Sequence, residues 1–243
     1  MKKSLDQGSE SDLTIIFLTN DRLPEKWKEF HREQLLKSVG NAPIITLSRE
    51  PSTLPGINLI QDQPPSKSNI FYQMLRGIRM VKTKYVAIAE DDCLMPKSHF
   101  TEFRPKDDEF AYNQHRWTWY SWSPIYSLKN YIKTNATLIA PTNLALEALE
   151  ERFAKYPHDM KDIPVGMCGE LGCYEKQLGV TLRKVVEWKS IEPVIQADHD
   201  FFTVHDASKE SVERRHKKKH GVIQALKVSP WGKSIDLQKY FNE

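Results

Sequence analysis

Tyr85-Val86-Ala87-Ile88-Ala89-Glu90-Asp91-Asp92 is a run of five largely apolar residues that ends abruptly in three acids. A short apolar run bounded by polar residues fits a strand buried on both faces, as in a parallel sheet. Three consecutive carboxylates at the tip of such a strand form a concentrated anion that is costly to leave unpaired at the edge of a core. The stretch therefore predicts a central strand and a positive partner at its carboxyl end.

The flanking sequence supports the strand. Leu13-Thr14-Ile15-Ile16-Phe17-Leu18 is a second continuous β-rich run, closed by Thr19-Asn20-Asp21-Arg22. Residues 25–38, with Trp27, Phe30 and Leu35 among many Glu and Lys, suit a surface helix ended by Gly40. Ala42 to Leu47 reads as a strand and Ile57 to Ile60 as a short one, and Pro64-Pro65 stops the chain before the next element. From Ser68, Ile70, Phe71, Met74, Leu75, Ile78 and Val81 recur at helical spacing, with Ser66 or Ser68 as the cap. Strand and helix alternate up to the acids. That rhythm predicts an α/β fold with a mostly parallel central sheet flanked by helices, whose ligands bind beyond the strand carboxyl ends.

Downstream the pattern is less regular. Phe110 to Tyr126 is rich in aromatic residues, and the spacing of Trp117, Trp119 and Trp122 places alternate positions on one face of a strand. Ala136 to Ala140 reads as a strand, and Thr142 to Tyr156 as a helix capped by Thr142 or Asn143. Gly166 to Gly179 is a loop entering a short helix, Val194 to Val204 includes a strand, and Ser208 to His220 is a highly charged helix.

Composition narrows the classes. With 40% hydrophobic and 28% charged residues over 243 positions, the chain has enough apolar content for one folded domain and too much for wholesale disorder. Residues 1–11 read as a loose leader and 12–243 as a single domain. No apolar run approaches the roughly 18 residues of a membrane span, and Met1 to Leu5 lead into polar sequence instead of a secretory core, so a cytoplasmic protein is expected. Cys93, Cys168 and Cys173 are too few for a disulfide framework, and their spacing lacks the paired pattern of structural zinc ligands. The net charge of +3 names no partner by itself. Its distribution is uneven: Glu213-Arg214-Arg215-His216-Lys217-Lys218-Lys219-His220 fits phosphate on a donor, on nucleic acid or on a lipid surface, or a solvated helix face.

For the acids, Mg²⁺ or Mn²⁺ is the natural counterpart, since hard carboxylate oxygens commonly share such ions with substrate phosphates. A solvated acidic loop is the plain alternative. From Thr14 to Pro96, about a third of the chain, the elements follow a recognisable order: strand, Thr19-Asn20-Asp21-Arg22 turn, helix, strand, Lys67 before a helix, then Tyr85 through Asp92 and Cys93-Leu94-Met95-Pro96. That order resembles the GT-A glycosyltransferases, which transfer a sugar from a nucleotide-diphosphate donor.

The resemblance implies a Rossmann-like domain with a nucleotide-sugar-binding half, residues 12–100, and an acceptor-binding half, residues 101–243 with the basic segment. It implies that Asp92 ligates the metal, and that Glu90 or Asp91 faces the donor ribose or a metal-bound water, although Glu90 stands where the family commonly has Asp. Thr19, Asn20, Arg22 and Lys67 would contact the donor. Gly166-Met167-Cys168-Gly169-Glu170-Leu171-Gly172 is similar to the Gly-Glu-Asp stretch of inverting members, with Leu171 in place of Asp. It makes Glu170 the candidate general base and Glu175 the fallback. A further metal ligand is expected from Asp198-His199-Asp200 or His205-Asp206, with His205 preferred because it closes the apolar stretch Phe201 to Val204. Trp117, Trp119 and Trp122, with Arg214 and Arg215, would form the acceptor side.

Aromatic rings and a basic segment together admit DNA as the acceptor, through a hydroxymethylated base flipped from the duplex, as in viral DNA-modifying members acting in a host cytoplasm. A glycan or small-molecule acceptor is the alternative. A sugar-phosphate nucleotidyltransferase usually carries an early glycine-rich basic loop, which residues 19–27 lack, and a purely nucleic-acid-binding module has no need of the acids.

Overall fold

The computed structural model describes residues 11–130, 132–199 and 223–241. Its elements run β1 (Leu13–Leu18), α1 (Glu25–Val39), β2 (Ile44–Ser48), β3 (Ile57–Ile60), α2 (Lys67–Ile78), β4 (Tyr85–Glu90), β5 (Cys93–Leu94), α3 (Lys97–Thr101), β6 (Glu109–Asn113), β7 (Arg116–Tyr120) and β8 (Tyr126–Leu128). They continue with β9 (Leu138–Pro141), α4 (Thr142–Lys155), α5 (Glu175–Leu178), β10 (Lys184–Trp188), β11 (Val194–Asp198), β12 (Gln224–Ala225), β13 (Lys227–Val228), β14 (Gly232–Lys233) and α6 (Ser234–Gln238).

The central sheet has seven strands in the order β10-β6-β9-β4-β1-β2-β3. All its pairings are parallel except those of β9, which runs against β4 and β6. All six residues of β1 are buried because the sheet is covered on both faces. Alternate side chains divide between two cores. Ile16 and Leu18 pack with Phe71, Met74, Leu75 and Ile78 of α2 and with Ala145, Ala148 and Leu149 of α4. Leu13, Ile15 and Phe17 pack with Leu35 and Val39 of α1 and Phe100 of α3. Burying each large aliphatic side chain is worth about 1.5–3 kcal/mol. One strand thus carries a share comparable with the net stability of a whole domain, about 5–15 kcal/mol.

The second sheet, β12-β8-β7-β11-β5, packs a third core in which Trp119, Tyr126, Ile195 and Ala197 meet Trp27 of α1 and Phe241. Only Asp91 and Asp92 separate β4 in the first sheet from β5 in the second. The acids therefore sit where the chain passes from one sheet to the other.

Two local expectations are corrected. Neither Thr142 nor Asn143 caps α4: Pro141 occupies the cap position, and the Thr142 hydroxyl donates instead to the Thr83 carbonyl at 2.9 Å. The stretch Phe110 to Tyr126 is divided among β6, β7 and the start of β8, and Trp122 does not share a strand face with Trp117 and Trp119 but lies in the turn after β7, where Ser123 N bonds back to Tyr120 O at 2.9 Å. At α2, Ser66 is the cap, its hydroxyl accepting from Asn69 N at 3.0 Å. The expected helix Ser208 to His220 lies outside the described residues.

Candidate active site

Parallel β1 and β4 end side by side, with Leu18 opposite Glu90, and Asp91 N donates to Leu18 O at 3.2 Å. The turn after β1 and the acids after β4 thereby share one edge. Together they line a cavity of about 130 Å³ with contributions from Thr19, Asn20, Arg22, Glu90, Asp91, Asp92 and His199.

Each acid is held differently. Asp91 accepts from the Thr19 hydroxyl at 2.5 Å and from the backbone N–H of Asn20, and its own carbonyl accepts from the Trp27 indole N–H at 2.8 Å. Burial and the neighbouring Asp92 nevertheless raise its pKa to about 7. Asp92 accepts from the Cys93 thiol at 3.1 Å and from Gln196, and its carbonyl accepts from Ala197 N at 2.7 Å. Burial, with Asp198 as a like charge, raises its pKa. Glu90 is pushed well up by burial and by Asp92, Asp91 and Glu170, against a smaller pull from Arg116. The buried Arg116 guanidinium is directed to Gln196 Oε1 and to Ile132 O.

Glu90, Asp92 and Cys93 place one donor atom each within 4.8 Å of one another. Two carboxylates at that spacing, raised chiefly by burial and joined by Asp198, fit a hard divalent cation, which would relieve the charge that burial opposes. The thiol is a softer donor, buried and pushed up well above the usual cysteine range, and it serves in the structure as a hydrogen-bond donor to Asp92.

The turn that carries Thr19 and Asn20 is fixed by side chains that sequence pattern does not single out. Gln61 donates to Thr19 O at 2.7 Å and to Leu47 O at 2.9 Å, Asn69 donates to Gln61 at 3.3 Å, Gln73 to Asn69 at 2.8 Å, and Arg76 to Gln73 at 2.8 Å. Asp21, with a positive φ of 57°, accepts from the backbone of Arg49 at 2.6 Å and Glu50 at 3.0 Å. The only hint in sequence is Asn69 and Gln73 at helical spacing on the buried face of α2.

The remaining candidates are dispersed. Glu170 is partly exposed and close enough to Glu90 for its charge to act there. Glu175 is not available as a base, because it is 2% exposed and ion-paired with Arg152 at 2.9 Å. Lys67 is exposed at the start of α2, and its charge falls on the Cys168 thiol. Trp119 is corrected from acceptor surface to core: fully buried, it stacks on Trp27 at 6.0 Å and meets Phe241 edge-on at 5.1 Å, leaving no face for a ligand. Trp117 packs against that core while partly exposed, and Trp122 lies in the turn after β7 with its ring 5.4 Å from Tyr120. His205, Arg214 and Arg215 lie outside the described residues. Of the two His-Asp candidates, His199 lines the cavity and Asp198 reaches Asp92.

No protein-family model and no curated protein matches the chain. Solved structures show distant likenesses. The bifunctional IspDF of Campylobacter jejuni aligns over 75% of this chain and 50% of its own, at 11% identity and a TM-score of 0.42, so the chain spans half of that protein. A glycosyltransferase involved in the glycosylation of the major capsid of PBCV-1 aligns over 73% of this chain and 81% of its own, at 9% identity and a TM-score of 0.42. A Drosophila β-1,4-galactosyltransferase 7 mutant in complex with manganese, UDP-Gal and xylobiose aligns over 86% of this chain and 74% of its own, at 13% identity and a TM-score of 0.39.

Proposed function

We propose that this chain is a metal-dependent glycosyltransferase that moves a sugar from a nucleoside-diphosphate donor to an acceptor hydroxyl with inversion. The observation that carries the reading is the crowded acidic edge at the carboxyl end of β4, beside a cavity shared with the turn after β1. In an α/β sheet, that crevice is where ligands bind.

Asp92 would hold the divalent cation, Mn²⁺ or Mg²⁺, with Glu90 beside it and His199 or Asp198 as the further ligand from β11 and its end. When bound, the cation neutralises charge developing on the leaving diphosphate. Thr19, Asn20 and Arg22 line the donor side, where the exposed arginine fork suits a phosphate or a base edge. Glu170 accepts the proton of the acceptor hydroxyl as its oxygen bonds to the anomeric carbon and the bond from that carbon to the diphosphate oxygen breaks. A hydroxymethylated base in DNA and a free glycan hydroxyl are both acceptors to offer, with the partly exposed Trp117 and Trp122 as stacking faces.

Hydrolysis of a panel of UDP-, GDP- and CDP-sugars with and without Mn²⁺ tests the reading. A cation contribution of several kcal/mol corresponds to a loss of about 10²–10³-fold in Asp92→Ala. Hydrolysis that survives both chelation and that substitution overturns the metal assignment. Consumption of a sugar 1-phosphate with a nucleoside triphosphate, in place of the nucleotide sugar, would replace transfer by nucleotidylation. Transfer compared on hydroxymethylated DNA, unmodified DNA and free sugars identifies the acceptor class.

A further inference from the structure

The loop from Met167 to Glu175 is gripped from beneath by one buried cation. Arg152, on α4 and 0% exposed, donates through Nη1 to the carbonyls of Gly169 at 2.6 Å and Met167 at 3.4 Å. Its Nη2 donates to the Glu170 carbonyl at 3.2 Å and to Glu175 Oε1 at 2.9 Å. Glu175 in turn accepts from Gly172 N at 2.7 Å and Tyr174 N at 2.9 Å, which ties the far end of the loop to the same pair. Tyr112 adds a bond from its hydroxyl to Leu171 O at 2.7 Å.

Two glycines are required for this arrangement. A Cβ on Gly169 would lie 2.2 Å from the Tyr174 ring, and Gly172, at φ +84°, would place one 2.3 Å from Val185. A surface turn needs no such determination. Several carbonyls drawn to one guanidinium leave the Glu170 backbone little freedom, while its side chain stays partly exposed and within electrostatic reach of Glu90.

We propose that the Arg152–Glu175 pair is a positioning device that holds Glu170 in its working place, acting through the Glu170 backbone without touching the substrate. This rests on the reading of Glu170 as the base. A purely structural pair would affect stability alone, whereas a positioning pair changes turnover in sugar transfer while donor binding stays as it was.

Three variants separate these. Arg152→Met/Glu175→Leu removes both buried charges together, a replacement that folded proteins often tolerate, and discards the carbonyl grip. Arg152→Lys keeps a cation but not the fork, and serves if the double variant does not fold. Glu170→Gln reports on the base itself. Transfer and donor hydrolysis are measured separately at saturating Mn²⁺. The expected result is a fall in transfer kcat of about tenfold or more in Arg152→Lys and in the double variant, with donor KM within twofold and hydrolysis retained. Full transfer in both clamp variants, beside an inactive Glu170→Gln, overturns the positioning role alone. Full transfer in Glu170→Gln overturns the base assignment and the positioning role with it.

Discussion

The tip of β4 and the loop that carries Glu170 lie within electrostatic reach of one another, and they treat buried charge in opposite ways. At the tip, Glu90, Asp91 and Asp92 repel one another and all three pKa values are displaced upward. In the loop, the one buried carboxylate, Glu175, has a guanidinium at 2.9 Å and two backbone N–H donors. At the first, like charges crowd together with Arg116 as the opposing charge on Glu90, and at the second the charge is matched by a direct ion pair. Crowded like charge at a ligand-facing edge marks a functional site, while matched charge beneath it marks scaffold.

Substitution breaks the comparison open. Glu175→Ala leaves Arg152 buried without its anion and should cost about 3–5 kcal/mol. At about 2–4 °C per kcal/mol for a chain of this size, the melting temperature should fall by roughly 6–20 °C. Glu90→Gln should act in the other direction in chelated buffer, because it removes a partly buried charge from among like charges. Its gain is smaller, about 1 kcal/mol after allowance for solvent screening at a partly exposed edge. A calorimetric series in which both variants lose stability alike would dissolve the contrast.

The acidic tip was legible in sequence, and so were the second region's loop and Glu170, but the ion pair beneath that loop was not. β1, β2 and β4 are buried between helices, so their apolar runs are continuous, and α2 repeats its apolar residues on one face. The acids could be read because they interrupt such a run at its end. Arg152 and Glu175 each look like ordinary charged helix residues, and nothing local relates positions separated by 23 residues. The same holds for Gln61, Asn69 and Gln73, whose amides fix the turn after β1 from three different distances along the chain. The short strands of the second sheet escaped for another reason: β5 and β12 have two residues each and β8 three, too few to show any period. Trp119 was visible as a ring, but only the packing of β7 on α1 decides that it faces inward.

Proton linkage sharpens the comparison at the acidic tip. Asp91 titrates near 7 in the folded chain against an ordinary value of 3.8, so the folded state holds more protons between those values than the unfolded state does. The metal-free protein should therefore lose stability as pH rises through that window. Asp91→Asn should flatten the dependence. Melting curves in chelator at pH 5, 6, 7 and 8 measure the slope, and saturating Mn²⁺ should offset the loss at the upper end by favouring the ionised carboxylates.

The smallest expected effect lies just behind the same tip and has the opposite sign. His31 of α1 is 3% exposed, stacks on Phe17 at 5.4 Å, and donates from Nε2 to the Cys93 carbonyl at 2.9 Å. Burial lowers its pKa to about 4 from the ordinary 6.5. The unfolded chain thus binds a proton between those values that the folded chain refuses. The stability His31 contributes is complete above pH 6.5 and lost as pH falls toward 4. Gln in its place keeps a donor for Cys93 O and removes the titration. Between pH 6.5 and 4.5, the wild type should lose more melting temperature than His31→Gln, by a few degrees at most, and parallel curves would show that the imidazole is not held neutral behind the acids.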